Sequence, residues 1–414
     1  MLENRTCPLD GGGSLISAQR YDTLLATHTR DELHALQLRR CDERFRIVAI
    51  GAPVPPYVGA PLDPPLRSRF AARRLDALST SARTRLAAQL GQAVPSSAAW
   101  RCVVALERLC EQQQQQQQQL APSNATRLVR VPPLPAVAVA PFAALSIARF
   151  PAQSPAHLLR RMLPLAALAC TDATIVMRAV ADVTRVALDD ASVAFGYRVV
   201  ERRRLSSDID INNNSGGDAD RVAFTFRHAT TGATTRVSLV GAPSHINRHA
   251  SMSDAASLAP PSSMIALDAH YDTLAALLAD MTCGATPCIV APSGCGKSLM
   301  CRWLALALGF DARIVTVQLF KDVSTRELLM RRATTDVGDS AWVMQPLVRA
   351  MLDGSLVVLD GAHRPPPTTL AALCEVIDDR QCSLPNGARV LRHDRYDAMA
   401  LSHDAMLKRG LFRW

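Results

Sequence analysis

Lysine is almost missing from this chain. Of its 46 basic residues only Lys297, Lys321 and Lys408 are lysines, and the arginines are scattered along the whole length. The net charge of +9 therefore has no stripe behind it, and no stretch interleaves arginines with aromatics. A nucleic-acid partner is not expected. The eleven cysteines include no C-x-x-C pair and no regular spacing. That speaks against a disulfide framework and a zinc site, and for a reducing, intracellular compartment. No long apolar run exists either. The longest, Pro132 to Leu145, is too short and too proline-rich to span a membrane. Met1 to Arg5 has neither a basic region nor an apolar core of secretory type.

What the chain does have is a passage that occurs twice. Arg5 to Asp22 reads RTCPLDGGGSLISAQRYD and Arg380 to Asp397 reads RQCSLPNGARVLRHDRYD. Without a gap, and at an offset of 375, they match at Arg5/Arg380, Cys7/Cys382, Leu9/Leu384, Gly12/Gly387, Arg20/Arg395, Tyr21/Tyr396 and Asp22/Asp397. The glycines at 11–13 and the Asn386-Gly387 pair are turn signals, so each copy is expected to be a hairpin or strand-turn element.

The 414 residues are enough for two or three domains with real cores. Residues 1–75 read as mixed α/β, with helical spacing in YDTLLATHTRDELHAL and a buried strand over Phe45 to Ile50. Residues 76–200 read as helical, with a stripe at Trp100, Val103, Val104 and Leu106. They are interrupted at 111–141 by eight glutamines, Gln112 to Gln119, and a proline-rich stretch, expected to be a disordered insertion. Residues 201–263 read as linker plus a β-hairpin turning at Gly232, with Arg202 to Arg221 as an exposed loop. A second α/β segment covers 264–414.

That segment carries the chemistry. In PCIVAPSGCGKSLMCRWLALALG, an apolar strand at Cys288 to Val290 leads through Ala291, Pro292, Ser293, Gly294, Cys295 and Gly296 to Lys297 and Ser298, then a helix closed by Gly309. A loop wound this way points successive backbone N–H groups at phosphate oxygens. The glycines permit the required angles, and the helix N-terminus adds partial positive charge. Lys297 would reach the β- and γ-phosphates of ATP, and the Ser298 hydroxyl would ligate Mg²⁺. A second apolar strand, Ser355 to Gly361, ends in Asp360, placed to hold Mg²⁺ through water. Between the two, STRE at 324–327 is a capping box, and SAWVMQPLVRAMLDGS supplies a helix with Pro346 in its first turn. Strand, helix, strand, helix, helix, strand is the order of a parallel sheet with helices on its faces.

Four stretches, LVVLDGAHR, RQCSLPNGARVLRHDRY, QRYDTLLATHTRDELHAL and GAPLDPPLRSRF, resemble the AAA+ ATPases related to midasin and the dynein motor. The resemblance covers most of Met1 to Leu75 and Met264 to Trp414. It implies a P-loop fold, ATP and Mg²⁺ as cofactors, neighbouring AAA+ modules as partners, and mitochondrial residence. It also implies an arginine finger in LDPPLRSRF, with Arg69 the better match and Arg67 the second, pointing at a neighbouring module's γ-phosphate. The offset of 375 would put the first copy's acidic strand before Met1 and the second copy's Phe45 strand beyond Trp414. The expectation is the rear of one module followed by the front of another. Gly361 stands where many such ATPases carry a glutamate that activates water. The expected function is ATP binding coupled to conformational change, with hydrolysis in doubt; the alternative is a nucleotide-bound, non-hydrolysing scaffold.

Overall fold

A computed structural model of the chain describes residues 7–9, 13–42, 97–119, 136–163, 170–186, 195–205, 221–242, 258–310, 314–334, 338–399, 406–407 and 409–413, with scattered positions at 44, 48–49, 82, 85 and 88–89. Side chains at 110–141 are not described. The chain divides into two compact units, residues 1–77 with 118–121, and residues 78–117 with 122–414.

In the first unit, β1 (Cys7–Pro8) pairs antiparallel with β2 (Ser14–Ile16), and β2 pairs parallel with β3 (Leu38–Arg40). The stretch expected to be one helix is two, α1 (Ala18–Leu24) and α2 (Arg30–Ala35). They are separated because Thr29 and Glu32 form a capping box that starts the second helix afresh. The strand expected over Phe45 to Ile50 lies largely outside the described residues.

The second unit begins with helices packed on a core of their own. These are α3 (Ala98–Gln119), α4 (Ala136–Arg149), α5 (Pro155–Met162) and α6 (Cys170–Thr184). Trp100, Val103 and Leu106 are buried there against Ala143, Leu158, Leu159 and Val180, so the expected stripe is the core face. The glutamine run is not an irregular insertion: α3 continues through all of it. Glutamine is a good helix former, and a helix already nucleated by packed residues can extend through it.

Next comes a three-stranded antiparallel sheet, β4 (Tyr197–Leu205), β5 (Arg221–His228) and β6 (Thr234–Val240). The hairpin at Gly232 is the expected one. Arg202 to Leu205, however, are strand and not loop. A register shift between Val199 and Glu201 breaks the alternation that would have marked β4. Arg202 is buried because its Nε donates to the Ala307 carbonyl at 2.7 Å. The sheet packs through Phe195, Tyr197, Phe224 and Phe226 on α7 (Asp268–Thr282) and α8 (Lys297–Leu308). Trp303 of α8 is fully buried, and its indole N–H donates to the Leu258 carbonyl at 3.1 Å.

The remainder builds a third core around β7 (Ile314–Gln318), α9 (Thr325–Leu329), the hairpin of β8 (Met330–Thr334) and β9 (Ser340–Met344), α10 (Pro346–Asp353), β10 (Leu356–Asp360) and α11 (Pro367–Cys374). The capping box at Ser324 and Glu327 and the helix start at Pro346 are as expected. SAWVM is not helical: it forms β9, paired in full with β8, with Arg332 stacked 5.0 Å over the Trp342 ring. Of the expected parallel sheet, β7 and β10 form a two-stranded parallel pair. Cys288 to Val290, expected as a strand of the same sheet, has no regular secondary structure and takes no ladder partner among the described residues. An apolar β-branched run suits a strand, but a ladder also needs a neighbouring edge within reach.

The second copy of the repeated passage closes the chain as β11 (Cys382–Ser383), β12 (Arg389–Leu391), α12 (His393–Asp397) and β13 (Leu411–Arg413). Its pattern is that of β1, β2, α1 and β3: antiparallel, then parallel. The likeness reaches past the sequence match. Arg40 grips Asp22 through two bonds of 2.8 Å, and Arg413 grips Asp397 through two of 2.9 Å. Cys382 is buried in this copy, and burial with the nearby Glu375 charge pushes its thiol up to about 11. Among the described residues, no helix is long and apolar enough to cross a membrane.

Candidate nucleotide site

The site starts from how α7 ends. Two arginines from the helical layer hold that end: Arg149 of α4 donates to the Thr282 carbonyl, and Arg161 of α5 pairs with Asp280. Cations suit a helix C-terminus, where unpaired carbonyls carry partial negative charge. Arg161 also lies over the Phe142 ring and donates to Ser146. Burial pushes the Asp280 carboxyl up, and the Arg161 charge opposes that rise. From this anchored end the chain runs through 283–290 into the loop 291–296.

The loop has the geometry that its residue types predict. Gly294 and Gly296 take left-handed angles, φ +84° and +75°, and nothing lies within 4 Å of where a Cβ would stand. Their need is conformational, not steric. Gly296 caps α8 without a side-chain hydrogen bond, so the first-turn N–H groups of this twelve-residue helix keep no capping side chain. Lys297 closes the loop on itself, its Nζ donating to the carbonyls of Ala291 at 2.9 Å and Pro292 at 2.8 Å. Ser298 is exposed in the first turn of α8, and Pro292, Ser293, Gly294 and Cys295 are exposed in the loop.

Asp360 ends β10, level with Gln318 at the end of β7. The Gln318 amide donates to Asp360 Oδ2 at 3.2 Å, and the Leu319 N–H donates to the Asp360 carbonyl at 2.8 Å. Asp360 also stands near α8. Burial pushes up the Cys301 thiol of that helix, and the Asp360 charge adds to the rise. Gly361 has φ +86°, and a Cβ there would meet the Leu319 carbonyl oxygen at 2.9 Å and Arg364 Cδ at 3.2 Å. His363 is exposed. Beyond these residues a cleft of about 670 Å³ opens between the loops after β7 and β10, lined among others by Lys321, Ser324, Arg364 and Thr368. No phosphate-loop residue lines it, so the cleft and the loop are separate features.

No group of three or more His, Cys, Asp or Glu side chains among the described residues could hold a metal by itself. One hydroxyl and one carboxylate suit Mg²⁺, which keeps waters and takes its remaining ligands from substrate phosphates. Arg67 and Arg69 lie outside the described residues. Sequence reasoning missed Gln318, because the register of β7 against β10 that sets it beside Asp360 has no local signal. It also missed the Arg161–Asp280 pair, which has no local signal.

Residues 287–412 match the family described as AAA domain (dynein-related subfamily). Along its whole length the chain is 31% identical, over 416 residues, to von Willebrand factor A domain-containing protein 8 of Mus musculus, and it spans 20% of that relative's length. No solved structure matches. The phosphate loop, α8 and the β7–β10 pair all lie inside those matched residues, so residues 287–412 are the part of the chain that is similar to an AAA domain of the dynein-related subfamily.

Proposed function

We propose that residues 291–298 and Asp360 bind ATP with Mg²⁺, and that this binding is coupled to movement of neighbouring AAA+ modules. The observation that carries the reading is the glycine-capped start of α8, with Lys297 folded across the loop that leads into it. The backbone N–H groups of the loop and the Lys297 ammonium would hold the phosphates. Ser298 and Asp360 would hold Mg²⁺, which supplies charge neutralisation between the β- and γ-phosphates. Arg69, or Arg67, would reach a neighbouring module's γ-phosphate. In this reading the two copies of the recurring element belong to successive modules.

Gly361 favours a slow site within this reading. Its φ of +86°, and the 2.9 Å at which a Cβ there would meet the Leu319 carbonyl oxygen, make a water-activating carboxylate at that position costly. General-base assistance is typically worth ~10²–10⁴-fold, so turnover here is expected to be weak.

The test is calorimetric titration of the full chain with ATP and Mg²⁺. Lys297→Ala removes a charge-assisted contact worth about 1.5–3 kcal/mol, so affinity should drop roughly ten- to a hundredfold. Equal affinity in the two proteins would refute the assignment.

A further inference from the structure

Asp360 needs more than a place at the end of a strand to act on a metal; its carboxylate needs an orientation. Only one side chain among the described residues supplies one. Parallel pairing puts Gln318 opposite Asp360 at the last rung of the β7–β10 ladder. The Leu319 N–H to Asp360 carbonyl bond, at 2.8 Å, fixes the spacing of the two strand ends just past that rung. The Gln318 Nε2 then donates to Asp360 Oδ2 at 3.2 Å. Oδ1 accepts no hydrogen bond from the described residues. The carboxylate is thus tethered by one oxygen and open at the other. Gly361 adds no side chain that could compete for that open oxygen.

We propose that Gln318 is a positioning residue for the metal: its amide holds Oδ2 so that Oδ1 faces the Mg²⁺ of the bound nucleotide. This rests on the nucleotide reading above. An amide suits the task. Its N–H donates to a carboxylate without adding charge, whereas a cation there would weaken the attraction of Asp360 for Mg²⁺. Partners that orient a metal ligand are typically worth ~10–100-fold in metal affinity. An exposed pair belongs at the low end, so about tenfold is expected.

The experiment uses the full chain and two variants. Gln318→Met keeps the length and removes the donor. Gln318→Asn keeps an amide but draws it back by one methylene. ATP affinity is measured by calorimetry with MgCl₂ and again with EDTA. Wild type should bind more tightly with Mg²⁺. Both variants should lose about tenfold of affinity with Mg²⁺ and none in EDTA. Wild-type affinity with Mg²⁺ in either variant would overturn the inference. So would an equal loss with and without Mg²⁺, because that is what a purely structural role, or failure to fold, produces. If wild type binds no ATP under either condition, the nucleotide reading falls and takes this inference with it. If wild type binds ATP equally with and without Mg²⁺, only the metal role falls.

Discussion

Arg161→Met is expected to destabilise the folded chain by about 3–5 kcal/mol at neutral pH, the usual cost of removing one partner from a buried ion pair. The Arg161 side chain is 9% exposed and that of Asp280 is 20% exposed, so both charges are largely withheld from water. Methionine would fill much of the space and keep contact with the rings of Phe142 and Phe195, over which the guanidinium now lies. What it would not replace is the countercharge. The effect should depend on pH with a definite sign. Burial already raises the Asp280 carboxyl above its ordinary range, and Arg161 opposes that. Without the arginine the folded-state value rises further. A carboxyl with a raised folded value contributes most below its unfolded value, about 3.9, and loses that contribution as pH rises through the folded value. The variant's deficit should therefore be small in mild acid and grow toward neutrality. Urea unfolding of both proteins across that range checks it. A deficit that is constant with pH would mean that Asp280 does not bear the cost.

Gly361→Glu is expected to lower stability by about 2–5 kcal/mol and to bring no gain in ATP turnover. Two costs add. A non-glycine residue held at φ +86° loses about 1–2 kcal/mol to backbone sterics. A Cβ at 2.9 Å from the Leu319 carbonyl oxygen must push apart the junction of β7 and β10, and overpacking of this kind costs about 1–3 kcal/mol. Leu319 is fully buried, so its carbonyl cannot step aside freely. Gly361→Ala separates backbone from side chain, because it brings the angle and the Cβ contact without a carboxylate. Both variants should unfold at lower denaturant concentration, with Ala carrying most of the loss. A glutamate variant as stable as wild type, releasing phosphate faster, would show that this glycine does not limit the site.

Much of the ATPase segment was legible because its signals are local. The glycine spacing before Lys297, the Ser324–Glu327 box, Pro346 and the run into Asp360 each mark a boundary through a bond or an angle formed within a few residues. What escaped depends on partners far along the chain. β9 has no alternation, since Ala341 to Met344 are all half-buried, and only its pairing with β8 makes it a strand. β4 is arginine-rich and interrupted by a bulge, and its buried Arg202 is satisfied by a carbonyl 105 residues away. Cys288 to Val290 shows the opposite failure, a strand-like composition that takes no ladder partner among the described residues. At the candidate site, Lys297 and Asp360 could be proposed from residue type and spacing. Gln318 could not, because only the strand pairing sets its amide beside Asp360.

The recurring Arg–Asp element has a consequence for how the chain folds. Two hairpins of one design, and two third strands of one design, create a choice of partner. β2 could in principle meet β13 instead of β3, forming the same kind of parallel pair and presenting Asp22 to Arg413. Side-chain chemistry discriminates weakly between these pairings, since an aspartate and an arginine meet in either case. Chain entropy discriminates more strongly. Joining Ile16 to Leu38 closes a short loop, whereas reaching Leu411 closes one about eighteen times longer. With a logarithmic closure cost, that ratio favours the native partner by about 2.5 kcal/mol. Each β2-like strand is then captured by the strand nearest along the chain, before a distant twin can compete. The protection is entropic, and it disappears between molecules. At high protein concentration during refolding, a third strand of either copy on another chain carries no loop penalty, so the duplication doubles the strands open to exchange between chains.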